Sequence, residues 1–570
     1  MAPLGEPERQ KSPSNVTLWV KGELFTFGTV SGTPHPRLGF SNIRKMVAYC
    51  KNKGSQGFPH VQYAIWKHIA CNKLQLSEEI AWMYFEQYHM IAGELSSAER
   101  IEMFHLNTQS DRSIIRQKMK ANTLQFVLFL YIQQLHKISM KSSLVTGDEW
   151  PSRTRSPDLE AARAATSGKN LDENAHFTFV LHHLNDLMEL MIDPSSSSGG
   201  LSEINANIEA VRALGFLIAA SIDGNRSIQP LEEVAMRPEI AAQSGFNEGT
   251  KTFLFKALHS WFRSNLSQSP FGISSCIANG KRLSWLPIDS TSAVKRGKIG
   301  TNGHLVSKDI VKGNKIIVMT QVGKQMVARS SGTLEQAYIK IHRCQFSYFY
   351  LLSPLRSVSI EKCKNITVVL GPVDVAVMVS GCEHVTVIAP CGRMVVSNSS
   401  LCSLYLLTPC RPLLLPGCEA VSLAPYNTFY PKLEEQMRRM VIPASVNLWD
   451  QPIVAGSHEH HGEHSSPSWF LLPPPDFLQF IIPFEMEGST TAIPCTLPSA
   501  YKKALDVRKK EYKLWLKSVN DSTQDAEKKQ AFQTLVEQQF QEWLSETGYK
   551  KEIDAIVQHV DGKFKSDARR

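Results

Sequence analysis

Four groups of residues in this chain have types and spacings that could do chemistry. The densest is SHEHHGEH (457–464), with four histidines within seven residues. Its His460-His-Gly-Glu463-His464 portion matches the H-x-x-E-H string of inverted zinc peptidases, where both histidines meet one ion from a single helix face. Gly456, Gly462 and the Ser-Ser-Pro that follows indicate a loop instead, so residues 455–468 are read as a His-rich loop with no metal site. Gly280-Lys281 could end a phosphate-binding loop. However, the preceding glycine, Gly272, is too distant, and Arg282 stands where Ser or Thr should hold Mg²⁺. Tyr338-Ile-Lys340-Ile-His342 sets a cation and an imidazole on one side of an alternating strand. Finally, Cys344, Cys363, Cys382 and Cys418 follow one another at steps of 19, 19 and twice 18.

Those cysteines keep time with a longer pattern. YLLSP (350–354), VVLGP (368–372), TVIAP (386–390), YLLTP (405–409) and VSLAP (421–425) repeat one apolar phrase closed by proline. The prolines are spaced by 18, 18, 19 and 16. A strand-like period just under twenty residues predicts a β-solenoid, one coil per period, in which residues equivalent in sequence stack in columns. Proline has no N–H to give to a strand ladder, so it is expected at a corner directly after each strand. The cysteines are expected inside as small apolar groups. Even stacking offers no tetrahedral cluster, so no metal is assigned to them.

Elsewhere the period changes. Residues 16–30, VTLWVKGELFTFGTV, alternate like a strand or hairpin. Ile80, Met83, Tyr84 and Tyr88 recur at helical spacing behind Ser77, a suitable N-cap, with Glu78 and Glu79 in the first turn. Leu124, Val127, Leu128 and Tyr131 do the same, and FTFVLHHLNDLMELMI (177–192) continues in kind. Trp66, Trp82 and Trp261 lie in such patterns and are expected in the core. The polar stretches near 142–174 and 193–200 read as linkers. The organisation predicted is a disordered 1–15, a mainly α-helical domain at 16–265, a β-helix at 305–435 and C-terminal helices at 499–560. In the last of these, Phe532, Leu535, Val536, Phe540, Trp543 and Leu544 form one apolar stripe. It fits docking onto the same chain or onto a partner helix.

The totals narrow the class. At 570 residues, 42% apolar and 20% charged, the chain is globular and multidomain. No apolar run is long enough to span a membrane, and MAPLGEPERQKSPSN has no apolar signal-peptide core, so no membrane insertion is expected. Eleven cysteines without a CxxC pair fit a reducing compartment. The net charge of +9 is densest between Lys295 and Lys324. It lacks interleaved aromatics and a recognised module, which argues against nucleic acid.

GPV (371–373), GCEHVTVIAPC (381–391) and APYNTFYP (424–431) resemble the tubulin-binding cofactor C homology domain, shared with the retinitis pigmentosa protein 2 family. WKHIACNKLQL (66–76), IHRC (341–344), LLSPLRSVSIEKC (351–363) and IIPFEMEG (481–488) extend the resemblance over most of the chain. The resemblance implies a right-handed parallel β-helix of the C-CAP/cofactor C-like type. It also implies a cytoplasmic cytoskeletal protein at the centrosome and spindle pole. Such a protein would position the centrosome and Golgi apparatus, with effects on cell shape and migration. The implied partners are cytoskeletal or centrosomal proteins, with tubulin or a small GTPase among them; no cofactor is implied.

Catalytic members of that family activate GTPases with an arginine in a Gln-x-Arg-x-His motif, roughly twenty residues after Gly-Pro-Val. Such an arginine neutralises charge on the transferring phosphoryl group and contributes about 10³–10⁵ in rate. Counting from Gly371, Arg393 falls on the glutamine, Val395 on the arginine and Ser397 on the histidine. Valine cannot carry that charge, so no catalytic residue is assigned and the expectation is a non-enzyme. The alternative is a GTPase activator or tubulin-folding factor of the cofactor C type. Arg393, Lys340 and His342 are the residues left as candidates for partner binding.

Overall fold

The computed structural model describes residues 16–30, 37–108, 113–135, 173–192, 204–222, 228–270, 298–302, 315–329, 332–455, 467–483, 486–522 and 526–547, with a few positions between 272 and 282. Residues 1–15, the His-rich string, the 193–200 stretch, most of 142–174 and half of 295–324 lie outside the described residues.

The repeat winds as a parallel solenoid. Sheet I stacks Ile316–Thr320, Tyr338–His342, Ser357–Glu361, Val377–Ser380, Met394–Ser397, Leu413–Leu414 and Ile453–Val454 in parallel. Sheet II stacks Met326–Arg329, Gln345–Leu351, Lys364–Leu370, Glu383–Pro390, Ser403–Leu407, Val421–Pro425 and Trp469–Leu471. A narrow third wall consists of single bridges, Leu355 to Val373 to Cys391. Inward side chains form columns, such as Ile339–Val358–Val377–Met394 and Phe349–Val368–Val387–Leu404, all buried. Each fully buried aliphatic contributes about 1.5–3 kcal/mol. The upper edge of sheet I is closed antiparallel by Lys298–Asn302 and then Lys281–Arg282, so Gly280-Lys281 leads into a strand and not into a phosphate loop.

Three prolines of the predicted column, Pro354, Pro372 and Pro390, stand as expected. The amides of Gln336, Leu355 and Val373 donate to the carbonyls of Pro354, Pro372 and Pro390 at 2.9–3.0 Å. Pro409 leaves the column. Pro390 pairs with Leu407, because the register advances by 17 residues at this coil while the prolines advance by 19. The cysteine column also forms: Cys344, Cys363 and Cys382 are buried, and Cys418 joins after one interruption. Ser399 fills the missing step, accepting from the Cys382 amide at 3.1 Å as Cys363 Sγ accepts from the Cys344 amide at 3.4 Å. Ser400 bridges Glu383 and Glu419, which fixes that alignment.

Two left-handed columns flank this corner. Arg343, Lys362, Gly381, Asn398 and Gly417 have φ between 45° and 79°, and Phe346, Asn365, His384, Leu401 and Ala420 have φ between 47° and 53°. Most are not glycine, so each left-handed residue carries a local penalty. The stacked coils hold them there: the amides of Arg343, Lys362 and Gly381 donate to Glu361, Ser380 and Ser397 carbonyls at 2.9–3.1 Å.

The domain before the solenoid is mainly helical. Helix Glu78–Ala92 starts at Ser77, whose side chain accepts from the Ile80 amide at 3.2 Å, and ends at Gly93 with φ 66°. Thr123–Ile132 is buried along its whole length. Trp66, Trp82 and Trp261 are core residues. One local reading is corrected: Val16–Val20 is a strand, but Gly22–Gly28 is a helix rather than the second arm of a hairpin. Leu24, Phe25 and Phe27 are all buried, and tertiary burial overrides the two-residue alternation. Val16–Val20 instead pairs antiparallel with Ile218–Ile222 and parallel with Leu266–Ser267. Beyond the solenoid come two long helices, Ser499–Ser522 and Ala526–Thr547.

Candidate functional site

The outward face of sheet I is where the family's arginine would stand, so its columns define the site. Register places Lys340, Ser359, Met378, Val395 and Leu413 in one column. His342, Glu361, Ser380 and Ser397 form the next. Arg393 lies two residues before Val395 on the same side. Lys340 is thus in the column of Val395, three coils away or roughly 14 Å at the usual strand spacing.

Arg393, Val395, Lys340 and His342 are buried. Val395 is 8% exposed and Arg393 1%, because helices Gly22–Gly28, Glu78–Ala92 and Ser97–His105 lie over this face. Val395, Leu413, Tyr338 and Ala376 share one apolar core with Phe27, Met83 and Phe104. Phe27 meets Tyr338 edge-on with ring centroids 5.3 Å apart. Gly392 is required here: a Cβ would stand 2.2 Å from Met90 Cε and 2.6 Å from the Asp374 carbonyl oxygen.

Ion pairs run through the seam between domain and solenoid. Arg393 Nη2 pairs with Glu86 on helix Glu78–Ala92. The other Glu86 oxygen accepts from Asn107 Nδ2 at 2.6 Å, and Asn107 Nδ2 also reaches the Pro409 carbonyl at 3.1 Å. Arg356 bridges Glu23 at 3.0 Å, Asp374 at 2.7 Å and the Ile91 carbonyl at 3.1 Å. Arg100 pairs with the same Asp374 carboxylate and with its carbonyl at 2.6 Å. Burial pushes the Asp374 carboxyl up, but the Arg100 and Arg356 guanidiniums outweigh it and hold the pKa below its ordinary value. At the rim, Arg411 meets Glu79.

Lys340 and His342 are sequestered in the same way. Lys340 Nζ pairs with Glu361 at 2.8 Å, both side chains being nearly buried. Burial, assisted by the Lys340 charge, lowers the His342 pKa to about 4, so its ring is neutral at physiological pH. A cavity of about 300 Å³ remains between Val16–Val20, Gly22–Gly28 and sheet I, lined in part by Lys21, Glu23, Lys340 and Arg356. The cations in its wall are engaged: Lys21 with the Gly215 carbonyl at 2.5 Å, Lys340 with Glu361 and Arg356 with Glu23.

Gly371 of the Gly-Pro-Val triplet also has a physical role. A Cβ there would sit 2.3 Å from the Ser353 carbonyl oxygen, so the residue is fixed by close approach of neighbouring coils. The sequence offered Arg393, Lys340 and His342 as candidates for binding a partner; in the structure all three are buried on this face. The sequence reading missed Glu86, Glu23, Asp374, Arg100 and Arg356. The available signal was the arginine in LLSPLRSVSI, a charge in an otherwise buried run that had to find a partner.

Comparison with known proteins matches this architecture. Residues 336–453 match the family model described as tubulin binding cofactor C. TBCC domain-containing protein 1 of Bos taurus is 42% identical over 562 residues, covering 96% of this chain and 98% of its own length. The human protein of that name is 41% identical, with the same two coverages. That of Danio rerio is 38% identical over 557 residues, covering 95% and 93%. Similarity therefore extends through the helical domain and the seam as well as the solenoid, and the chain belongs to the TBCC domain-containing protein 1 family.

Proposed function

We propose that this chain is a non-enzymatic, cytoskeleton-associated protein of the cytoplasm. In this reading it acts at the centrosome and spindle pole to position the centrosome and Golgi apparatus, and through them influences cell shape and migration. The observation that carries the non-enzymatic reading is the state of the sheet I face. The position corresponding to the activating arginine is Val395, 8% exposed beneath the chain's own helices. A GTPase docking there would first have to displace helix Glu78–Ala92 and break the buried Arg393–Glu86 pair. Displacing that helix would also expose the apolar surface that Val395 and Leu413 share with Phe27 and Met83, before any contact is gained. The cytoskeletal part of the reading is supported by the tubulin binding cofactor C match and by the resemblance of the flanking regions.

The GTPase-activator reading has one observation in its favour, the cation of Lys340 in the Val395 column. That cation is paired with Glu361, and lysine lacks the planar fork of arginine. Single-turnover GTP hydrolysis by small GTPases and by tubulin, with and without the full chain, separates the two. The expected result is no acceleration; an acceleration abolished by Lys340→Ala or Arg393→Ala would overturn the proposal. The cellular part is tested by imaging the tagged full chain: accumulation at centrosomes and spindle poles is expected, and a uniform cytoplasmic signal refutes it.

A further inference from the structure

The C-terminal helices carry aromatic stripes about half exposed among the described residues. The first turns of Ser499–Ser522 are docked: Tyr501 packs edge-on against Trp449 and Phe477, and its hydroxyl donates to the Leu472 carbonyl at 2.6 Å. Arg508 caps this contact by donating to the Phe477 and Pro475 carbonyls. Beyond it the helix leaves the body. Tyr512 and Trp515 stack on each other at 6.0 Å with 59% and 51% of their surface exposed. On Ala526–Thr547, Phe540 and Trp543 stack at 5.9 Å, again about half exposed, beside exposed Leu535 and Val536. Single exposed apolar residues are ordinary, but two aromatic stripes on adjoining helices are not.

The stripes have the spacing of a helix–helix seam. Tyr512, Trp515 and Val519 are separated by 3 and 4 residues, and Val536, Phe540 and Trp543 by 4 and 3, while Leu505, nearer the body, packs on the solenoid core. The flanking charges are opposite. Ser499–Ser522 carries seven basic and three acidic residues, net +4; Ala526–Thr547 carries two basic and four acidic, net −2. One chain thus holds both halves of a complementary pair, yet each half is solvent-exposed in its own molecule.

We propose that these helices join two copies of this chain, the basic helix of each lying along the acidic helix of the other. A two-fold arrangement satisfies both charge patterns twice and buries both aromatic stripes with one self-complementary surface. The proposal is independent of whether the solenoid is catalytic.

Light scattering of the full chain tests it, with two charge-reversed variants. One carries Lys509→Glu, Lys510→Glu, Lys513→Glu and Lys517→Glu; the other carries Glu537→Lys, Glu542→Lys and Glu546→Lys. The unaltered chain is expected at twice the chain mass at micromolar concentration and each variant alone as a monomer. Their equimolar mixture is expected to recover the dimer, which also shows that both variants are folded. A monomeric unaltered chain overturns the proposal, as do variants that dimerise alone. A mixture that fails to associate also overturns it and assigns the two stripes to each other within one chain.

Discussion

At the scale of single residues, the decisive pair is Arg393 and Glu86. Both are buried, and if the guanidinium is removed Glu86 is left with neutral partners, the Asn107 amide and the Cys410 thiol, and no counter-charge on the Arg393 side. Arg393→Met is therefore expected to destabilise the chain by about 3–5 kcal/mol, the cost of an uncompensated buried charge. Glu86→Gln combined with Arg393→Met should recover much of that loss, because a neutral amide no longer needs a counter-ion. Urea unfolding followed by tryptophan emission measures both; equal losses for the single and double variants would refute the pairing. Val395→Arg is the complementary change. It restores the family's residue type, but at a buried position facing Phe27 and Met83 in the core. We expect it to lower stability and to leave GTP hydrolysis by candidate GTPases at its basal rate. That Arg393 and Val395 are two residues apart and share one side of a strand was legible from the sequence. That both are buried was not, because Glu86 is 307 residues from Arg393.

At the scale of elements, the solenoid corner is a repeated unit with one instructive exception. Ser399 takes the place that cysteine holds in neighbouring coils and accepts the Cys382 amide. Ser399→Ala would leave that buried amide without its partner, at a cost of about 1–3 kcal/mol. Ser399→Cys should cost less than about 1 kcal/mol, since cysteine does the same work two coils away at Cys363. Thermal unfolding of the two variants distinguishes them, and an alanine as stable as the cysteine would show that the column is only space-filling. The periodicity of these elements was readable because one chemical requirement recurs each coil. The slip of Pro409 was not. It depends on the number of residues between sheets in one coil, which an apolar phrase does not encode.

At the scale of the whole molecule, two buried histidines set an acid limit. His89 lies against the rings of Phe85 and Tyr88, and burial lowers its pKa to about 4 despite the charge of nearby Glu99. His342 is lowered to about 4 beside Lys340 and Glu361. Both begin from 6.5, so between pH 6.5 and 4 the unfolded chain binds protons that the folded chain refuses. Their contribution is complete above pH 6.5 and declines below it, at about 1.4 kcal/mol per pH unit for each histidine. The urea midpoint should thus fall between pH 7 and pH 5, and less so in His89→Gln and His342→Gln. A midpoint unchanged by pH over this range refutes the assignment. Asp374 adds to the loss only in stronger acid, since its pKa lies below the ordinary 3.8.

The sequence by itself determined the repeat, the column of Pro354, Pro372 and Pro390, the cysteine column, the main helices with their caps, and the hydrocarbon at position 395. Each follows from local chemistry: strand alternation, an imino acid without a donor, a side chain without charge. Only the tertiary structure decided that the helical domain covers sheet I and that Tyr512, Trp515, Phe540 and Trp543 stand about half exposed. Which surface meets which depends on packing and charge pairing between residues hundreds of positions apart, and no periodicity records that distance.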